Sequence, residues 1–327
     1  MRQLALILFM TTFILVLGGC SKNEPENLEY ICHENMVLIS SGSFSMGQVG
    51  LEDATPVHQT TLTHDFYMGK FEITNEEYMA AVQWAYDQGR VTASSEEVRA
   101  YDIILLNLAG NDCELTFDPN SGQFSLREAP SDFAVNAYPN GYDPSPHPIK
   151  AVTWFGAACY CDWVSEMCGL DPFYNGSWDQ TESHNPYLAD GYRLPTEAEW
   201  EYVASYNDTR EYPWGDDDPE CSLANYSPVG HCVGWTTPVG DYPLGASSHG
   251  ILDLGGNVKE WIGDYWSESY EDGAQTNPLG SQFDERRIVR GGWWGAGSIW
   301  MKSAMRQGSG TGASEYSGGF RICLIAN

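Results

Sequence analysis

Glycine, proline and aspartate divide the chain after Ser205 into short apolar runs, and this spacing constrains the fold more than any other feature. The runs include GILDLGGNVKEW, IVRGGWW and GGFRICL. They are too short and too interrupted for regular helices, so the pattern predicts short strands joined by long loops. No segment recurs at a fixed interval, which argues against solenoids and propellers. Together with a few helices upstream, these runs predict an α+β fold with many short antiparallel strands.

Three segments before Ser205 predict helices. Thr74 and Thr196 each precede a glutamate by three residues, which is the capping-box pattern that starts a helix. Apolar residues follow the first box at helical spacing. A third helix is predicted to begin after Thr153 and to end at Gly169, because glycine favours the backbone geometry that terminates helices.

The region from residue 35 onward is predicted to form one domain, residues 35–327. Alternating apolar and polar residues predict a β-hairpin at 36–47. Residues 87–147 are rich in Asn, Asp, Pro and Gly and lack the apolar periodicity for a core of their own, so we expect an insertion there. Inside the insertion the sequence predicts a short helix from 94 to 107 and a hairpin from 113 to 126.

The N-terminal segment predicts export. One basic residue precedes an apolar stretch, Leu4–Leu17. This stretch is shorter than the about 20 apolar residues that a transmembrane helix needs. It is typical of a signal peptide, which would comprise residues 1–19. The sequence LGGC resembles a bacterial lipobox, which implies cleavage before Cys20, a lipid on its sulfur and membrane attachment through it. A plain signal peptide with an incidental Cys20 is the alternative. Residues 20–34 then form a flexible tether, and Ser21 is typical of lipoproteins sent to the outer membrane, at its periplasmic face.

Eight cysteines follow Cys20, and an even count in an exported chain favours disulfides over free thiols. Cys221 and Cys232 flank a short loop with proline and glycine, and they are the pair that the sequence favours most. Three further cysteines lie too close together to pair only with one another, so one or two of them must reach a distant partner. The close group is Cys159, Cys161 and Cys168, and the distant candidates are Cys32, Cys113 and Cys323. Zinc is the competing interpretation, but the chain has no paired CxxC motifs.

The net charge excludes one class of function. The chain has 16 Lys and Arg against 45 Asp and Glu, which gives a formal charge of −29. A surface this acidic repels phosphate backbones, so we expect no nucleic-acid partner. A hydrophobic content of 42% and an aromatic content of 13% suffice for a large core, which argues against disorder.

Nine stretches of the sequence resemble, in order, the formylglycine-generating enzyme or sulfatase-modifying factor family. The resemblance implies an elaborated C-type-lectin-like α+β fold with low regular secondary structure content and bound calcium. It covers nearly the whole chain after the tether. The stretches are GSFSMG (42–47), KFEITNEEY (70–78), HPIKAVTWFGAACYCDW (147–163), GYRLPTEAEWEY (191–202), YPWG (212–215), ANYSPVG (224–230), GGNVKEW (255–261), RGGWW (290–294) and GGFRICL (318–324).

The same resemblance locates the family's catalytic copper site. Family enzymes oxidise a substrate cysteine to formylglycine with copper(I) that two cysteines hold shortly after the RGG motif, and a soft ion of this kind selects thiolates. In this chain those positions carry Ala296 and Met301. We therefore expect no copper and no formylglycine formation. The alternative is an oxidoreductase of the same family that acts on a protein cysteine or related thiol through a different metal or site. Cys323 is expected to be a strand residue paired with a distant cysteine.

The resemblance also implies a calcium loop at DLGGNVKEW. Asp253 and Glu260 would supply carboxylates, and the carbonyls of Gly256 and Val258 would supply further oxygens, as a hard cation requires. The alternative is that both acids are solvated loop charges.

A second family calcium site would begin at Asn225 and the carbonyl of Tyr226. Its later ligands are not recognisable in the shortened loop that follows. This second site is therefore not expected to be complete.

Two large aromatic residues follow the RGG motif, where smaller ones are usual in the family. Trp293 and Trp294 would either fill the cleft of the family's peptide substrate or form a platform for a peptide, protein or glycan, with Trp300 and Arg306 nearby. Core packing is the competing interpretation. The sequence thus predicts a calcium-stabilised binding or structural module.

Overall fold

The structure is a computed structural model that describes residues 32, 35–110, 112–128, 131–206, 210–314 and 316–326. The expected signal peptide, Cys20 and most of the tether lie outside these residues. Within them, helix accounts for 19% and strand for 24%. No helix of the described part combines the length and apolarity needed to cross a bilayer.

The described chain contains four α-helices and fifteen short strands. The helices are α1 (Asn75–Asp87), α2 (Asp132–Ala137), α3 (Trp154–Met167) and α4 (Glu197–Ser205). The strands are β1 (Met36–Ile39), β2 (Gly42–Met46), β3 (His58–Leu62), β4 (Phe66–Gly69), β5 (Thr92–Ala93), β6 (Glu97–Ala100), β7 (Ile103–Asn107), β8 (Leu115–Asp118), β9 (Gln123–Leu126), β10 (Lys259–Tyr265), β11 (Gln275–Thr276), β12 (Arg286–Arg290), β13 (Arg306–Gly310), β14 (Gly318–Gly319) and β15 (Cys323–Ile325).

The three long helices begin where the sequence predicts. Thr74 and Thr196 are N-caps, and each closes a complete capping box with the glutamate three residues later. Thr153 caps α3 by accepting from the N–H of Gly156. Gly169 follows the end of α3 with φ of +72°, a conformation that glycine adopts without strain. After Ser205 the only helical segments in the described residues are short 3₁₀ turns, as expected.

Short sheets position the functional loops. The strand β4 pairs with both β1 and β15, so the first and last described strands lie on either side of it. The strand β10 is the centre of a second sheet in the order β13-β12-β10-β14. Every residue of β10 is buried. The GGNVKEW segment, whose last three residues begin this strand, is therefore anchored in the core.

The core consists mainly of two apolar clusters. One packs α1 and α3 against β7, β8 and β9, so residues 87–147 contribute to the main core. The other packs α4 against β2, β3, β4 and β10. Fully buried indoles anchor both clusters, with Trp154 and Trp261 in the first and Trp200 in the second.

Two local predictions are wrong, and strand pairing explains both. The segment 94–107 forms β6 and β7 rather than a helix, because these strands pair with each other and Leu106 bridges to Val152. The predicted hairpin at 36–47 does form two strands. However, β1 pairs with β4 and β2 pairs with β3, so these strands lie in different sheets. The hairpin at 113–126 is confirmed as β8 and β9.

The cysteines form two disulfides, which the sequence predicted in part. Cys221 pairs with Cys232, and Cys168 reaches Cys32. The expectation that the other cysteines are oxidised is wrong. Four buried thiols are free, namely Cys113, Cys159, Cys161 and Cys323. Cys323 does lie in β15 but has no disulfide partner, and all four free thiols are packed inside the apolar clusters.

Candidate functional site

The two positions of the family's copper ligands are packed with apolar side chains. Met301 is fully buried and lies in a small cluster with Tyr212 and Tyr226. Ala296 is buried, and its carbonyl accepts a hydrogen bond from the N–H of Ser227 at 2.7 Å. Neither side chain is a thiolate, and Met301 serves as a core residue. Among the described residues, no group of three His, Cys, Asp or Glu side chains converges as a metal site would require.

The loop before β10 adopts the tight geometry that the sequence indicates. Asp253, Gly256 and Asn257 all have positive φ, at +60°, +94° and +57°. A Cβ atom at position 256 would lie 2.4 Å from the carbonyl oxygen of Asn225, so only glycine fits there. This turn brings Asp253 and Glu260 into one buried cluster, with exposed fractions of 5% and 0%. The two carboxylates are therefore not solvated loop charges.

Both carboxylates predicted as calcium ligands already have protein partners. Asp253 Oδ2 accepts from the N–H of Gly240 at 2.6 Å. Glu260 forms a bidentate pair with Arg321, with both oxygens at 2.7 Å from the guanidinium, and Oε2 also accepts from the indole N–H of Trp200 at 2.9 Å. Glu260 is thus the counter-ion of a buried arginine.

A third acid, Glu72, completes this cluster and was not predicted as part of the site. Glu72 Oε1 accepts from the N–H of Val258 at 3.1 Å, and Oε2 accepts from the side-chain amide of Asn257 at 2.7 Å. Its contacts in the loop lie more than 180 residues away in sequence, so no local pattern could have revealed it. We call Glu72, Asp253, Glu260 and Arg321 the acid cluster.

The acid cluster has three carboxyl groups and one guanidinium. Burial, with the neighbouring Asp253 and Glu260, raises the pKa of Glu72 well above its usual value. Burial, with repulsion from Glu260, raises the pKa of Asp253 to about 6. A bound cation or protons would neutralise this excess. Because Arg321 holds both oxygens of Glu260, only Asp253 and Glu72 are left among the three carboxyl groups, which agrees with the absence of a converging group of three metal-ligating side chains in the described residues. A cation here would need the loop carbonyls in addition.

The residues of the second expected calcium site lie beside this loop. The side-chain amide of Asn225 donates to the carbonyl of Trp235 at 2.7 Å, while its Oδ1 is buried without a hydrogen-bond partner. The carbonyl of Tyr226 accepts from the N–H of Cys232 at 3.0 Å. Of the two ligand atoms expected for this site, only Asn225 Oδ1 lacks a hydrogen-bond partner.

Trp293 and Trp294 line an open cavity of about 440 Å³, which we call the aromatic groove. Trp294 is 7% exposed and contacts the ring of Trp235 at 5.5 Å, so it is both a core residue and a wall of the groove. Its indole N–H is buried and has no hydrogen-bond partner. The principal lining side chains are Phe133, Asn136, His231, Trp293, Trp294 and Tyr316.

The electrostatics of the aromatic groove differ from those of the whole chain. None of the described residues that line it is acidic, although the chain carries 45 acidic residues. The ammonium of Lys259 lies 4.7 Å from the ring centre of Trp293, and that of Lys150 lies 3.4 Å from the ring centre of Trp235. Lys259 therefore lies against an indole that lines the groove, whereas Lys150 is buried behind the groove, against Trp235, and pairs with Glu114 at 3.7 Å.

The other two expected cleft residues lie outside the aromatic groove. Trp300 contacts Trp293 at 6.1 Å. Arg306 is buried in a bidentate pair with Glu197 at 2.7 and 2.9 Å. The glutamates of α4 are accordingly ion-paired inside the core, with Glu201 bound to Arg290 and Glu197 to Arg306.

Comparison with known proteins identifies relatives of this chain. The family model of the sulfatase-modifying factor enzyme 1-like domain matches residues 21–325. The serine/threonine-protein kinase Pkn1 of Chlamydia pneumoniae is 30% identical over 312 residues, 94% of this chain and 40% of the kinase. The chain thus spans about two fifths of that relative. The chaperone protein LppX of Paenibacillus barcinonensis is 24% identical, with 88% of this chain and 87% of that protein covered. The formylglycine-generating enzyme of Streptomyces coelicolor is 26% identical, with 78% and 77% covered.

Solved structures share the fold. Variable protein 1 of Treponema denticola matches with a TM-score of 0.63 at 19% identity, over 89% of this chain and 95% of that one. PvdO from Pseudomonas aeruginosa matches with a TM-score of 0.62 at 21% identity, over 89% and 94%. These likenesses confirm the predicted α+β architecture.

Proposed function

Because the chain belongs to the sulfatase-modifying factor enzyme 1-like family, we propose that it is an exported, lipid-anchored binding module that has lost formylglycine-generating activity. The observation that carries this proposal is the pair of side chains at the copper positions. Ala296 offers no ligand atom, and Met301 offers only a thioether that is fully buried among apolar groups. Without a thiolate pair, copper(I) has no soft anionic ligands there.

The proposed export rests on the N-terminal sequence and on the disulfides. Two disulfides persist only in an oxidising compartment, and the LGGC motif supplies the cysteine for a lipid. Replacing Cys20→Ser should abolish the incorporation of labelled palmitate into the protein. Labelling of this variant to the level of the parent would contradict the lipid anchor.

The proposed ligand site is the aromatic groove, and the ligand is an apolar or aromatic segment of a peptide or protein. Rigid aromatic side chains supply contact area at low entropic cost, and the absence of carboxylates leaves little to bind a cation. A relative named as a chaperone that covers 88% of this chain supports a protein ligand. A glycan is the alternative ligand.

Arrays of peptides and glycans test this ligand assignment directly. The purified protein should retain apolar and aromatic peptides, and Trp294→Ala should weaken their binding at least about tenfold. Phe283→Ala is the matched control, because Phe283 is 75% exposed and outside the groove. Retention of glycans alone, or an equal effect of the two variants, would contradict the proposal.

The proposed role of calcium is to neutralise the acid cluster and so to stabilise the loop that precedes β10. The excess of carboxylates over guanidinium supports it. The competing function is oxidation of a protein cysteine or related thiol through a different metal or site. Aldehyde formation on a cysteine-containing peptide would establish that function and overturn the binding-module proposal.

A further inference from the structure

A second cavity, of about 270 Å³, lies at the N-terminal end of α4. It shares no lining residue with the aromatic groove. The end of β10 and the loop that follows it, residues 267–282, form one side, and Glu197 and Ala198 of α4 form another. Its volume is close to the lower end of the range of small-molecule sites, about 300–1,000 Å³, so it suits a small ligand.

Asp264 of β10 supplies a buried carboxyl group to this cavity. The residue is 3% exposed. Its Oδ2 accepts a hydrogen bond from the backbone N–H of Glu197 at 2.9 Å, which caps the first turn of α4. Its Oδ1 lies on the side of Gly280, where a Cβ atom would approach it to 2.5 Å. Gly280 itself lines the cavity, so the second oxygen lies at the cavity wall.

The charged side chains around Asp264 form their ion pairs and hydrogen bonds with other groups. Arg306, which also lines the cavity, is neutralised by its bidentate pair with Glu197. Glu199 is paired with Arg193 in the core. Arg287 donates to backbone carbonyls and lies against the ring of Tyr265; its positive charge favours the ionised form of Asp264, but the two side chains form no ion pair. Among the described residues, no lysine, arginine or histidine forms an ion pair with Asp264.

The cavity therefore presents one buried carboxyl group that has no ion-pair partner among the described residues and whose charge Arg287 compensates only in part. A buried carboxylate is costly unless it gains a cation or a proton. The exposed Glu271 at the rim adds a second negative charge. An anionic ligand is disfavoured here, and a ligand cation would supply the missing partner.

We propose that this cavity binds a small molecule with a primary ammonium group, which pairs with Asp264. The remaining lining fits such a molecule. Met46, Ala198 and Leu279 form an apolar wall for a short alkyl chain. His58 donates from Nδ1 to the carbonyl of Pro56 at 2.9 Å, which leaves Nε2 as a hydrogen-bond acceptor.

Calorimetric titration with n-butylammonium chloride tests the proposal, and 1-butanol is the neutral comparison of the same shape. We expect the ammonium to bind at least about tenfold more tightly than the alcohol. Asp264→Asn should abolish this difference, because the amide still accepts from the N–H of Glu197 but carries no charge. Glu271→Gln removes an exposed charge at the rim and should change the affinity less than about threefold.

The pH dependence provides a second arm of the same experiment. Burial, together with the neighbouring Glu197 and Glu199, raises the pKa of Asp264 to about 7. The other ionisable groups at the cavity are His58, Tyr265, Tyr270, Glu271 and the paired Arg306, and Arg287 lies close enough to act on Asp264. Below pH 7 the ionised fraction of Asp264 falls about tenfold for each pH unit, so the affinity should fall in the same proportion.

Three results would overturn the proposal. They are equal affinity for butylammonium and butanol, undiminished binding by Asp264→Asn, and no binding by the folded parent at pH 8. If Asp264→Asn does not fold, Leu279→Trp decides the question, because it fills the cavity and retains the carboxyl group. Binding that survives this filling would also contradict the assignment.

Discussion

Replacing Asp253→Asn isolates the charge excess of the acid cluster. The substitution keeps the oxygen that accepts from Gly240, and asparagine tolerates the φ of +60° at this position. Asp253 has a pKa of about 6 in the folded chain against 3.8 ordinarily. This difference corresponds to about 3 kcal/mol for the fully buried group, as an order of magnitude.

The sign of the effect follows from proton binding. Between pH 4 and pH 6 the folded chain holds the proton of Asp253 more tightly than the unfolded chain does. The free energy of unfolding of the parent therefore falls as pH rises through this window, and the loss is complete above it. Without calcium, Asp253→Asn should equal the parent at pH 4 and exceed it by about 3 kcal/mol at pH 8. Calcium at pH 8 should stabilise the parent and stabilise the variant less.

Urea unfolding followed by tryptophan fluorescence at pH 4, 6 and 8, with chelator or with calcium chloride, measures these differences. Asp217→Asn is the matched control, since Asp217 lies in an exposed turn. A difference between parent and Asp253→Asn that is independent of pH would refute the electrostatic reasoning. A parent whose unfolding is indifferent to chelator would refute the calcium assignment.

Three further predictions follow from the buried contacts. Arg321→Met leaves Glu260 buried without its partner, so urea unfolding should show a loss of about 3–5 kcal/mol, and a loss below about 1 kcal/mol would contradict the ion pair. Cys221→Ser opens the loop closed at Cys232 and should lower the free energy of unfolding by about 3 kcal/mol under non-reducing conditions, whereas prior reduction of both proteins, which also opens Cys32–Cys168 in each, should abolish the difference. The four free thiols are buried and burial raises their pKa, so iodoacetamide should label them only after denaturation, as mass spectrometry can count. Labelling of the native protein would show that they are accessible.

Local signals in the sequence predicted the helices well. A capping box needs only two residues three positions apart, and both Thr74 and Thr196 form one in the structure. The disulfide between Cys221 and Cys232 closes a short loop, so it too was accessible to local reasoning. The tight turn of the GGNVKEW loop followed from its glycines in the same way.

Strand pairing and contacts between distant segments could not be predicted from the sequence. Strands β6 and β7 contain β-branched residues such as Val98 and Ile103, yet their apolar pattern is too short to distinguish a strand from a helix. The bridge from Leu106 to Val152 decides the outcome. The partner of Cys168 is 136 residues away, and spacing alone left it open.

The candidate site shows the same limit. Asp253 and Glu260 were predicted from one loop and do lie in one buried cluster, whereas Glu72 and Arg321 join them from distant segments. Arg306 was expected at the cleft with the tryptophans because it follows them in sequence. It instead pairs with Glu197, because a buried guanidinium requires a carboxylate.

The central claim is that this chain cannot bind the family's copper ion, and titration of the purified protein with Cu(I) tests it most directly. The parent should bind no copper tightly at Met301 and should form no aldehyde on a cysteine-containing peptide. A double variant, Ala296→Cys with Met301→Cys, should gain Cu(I) binding and serves as the positive control. Stoichiometric binding of Cu(I) by the parent, with oxidation of the peptide thiol, would contradict the account.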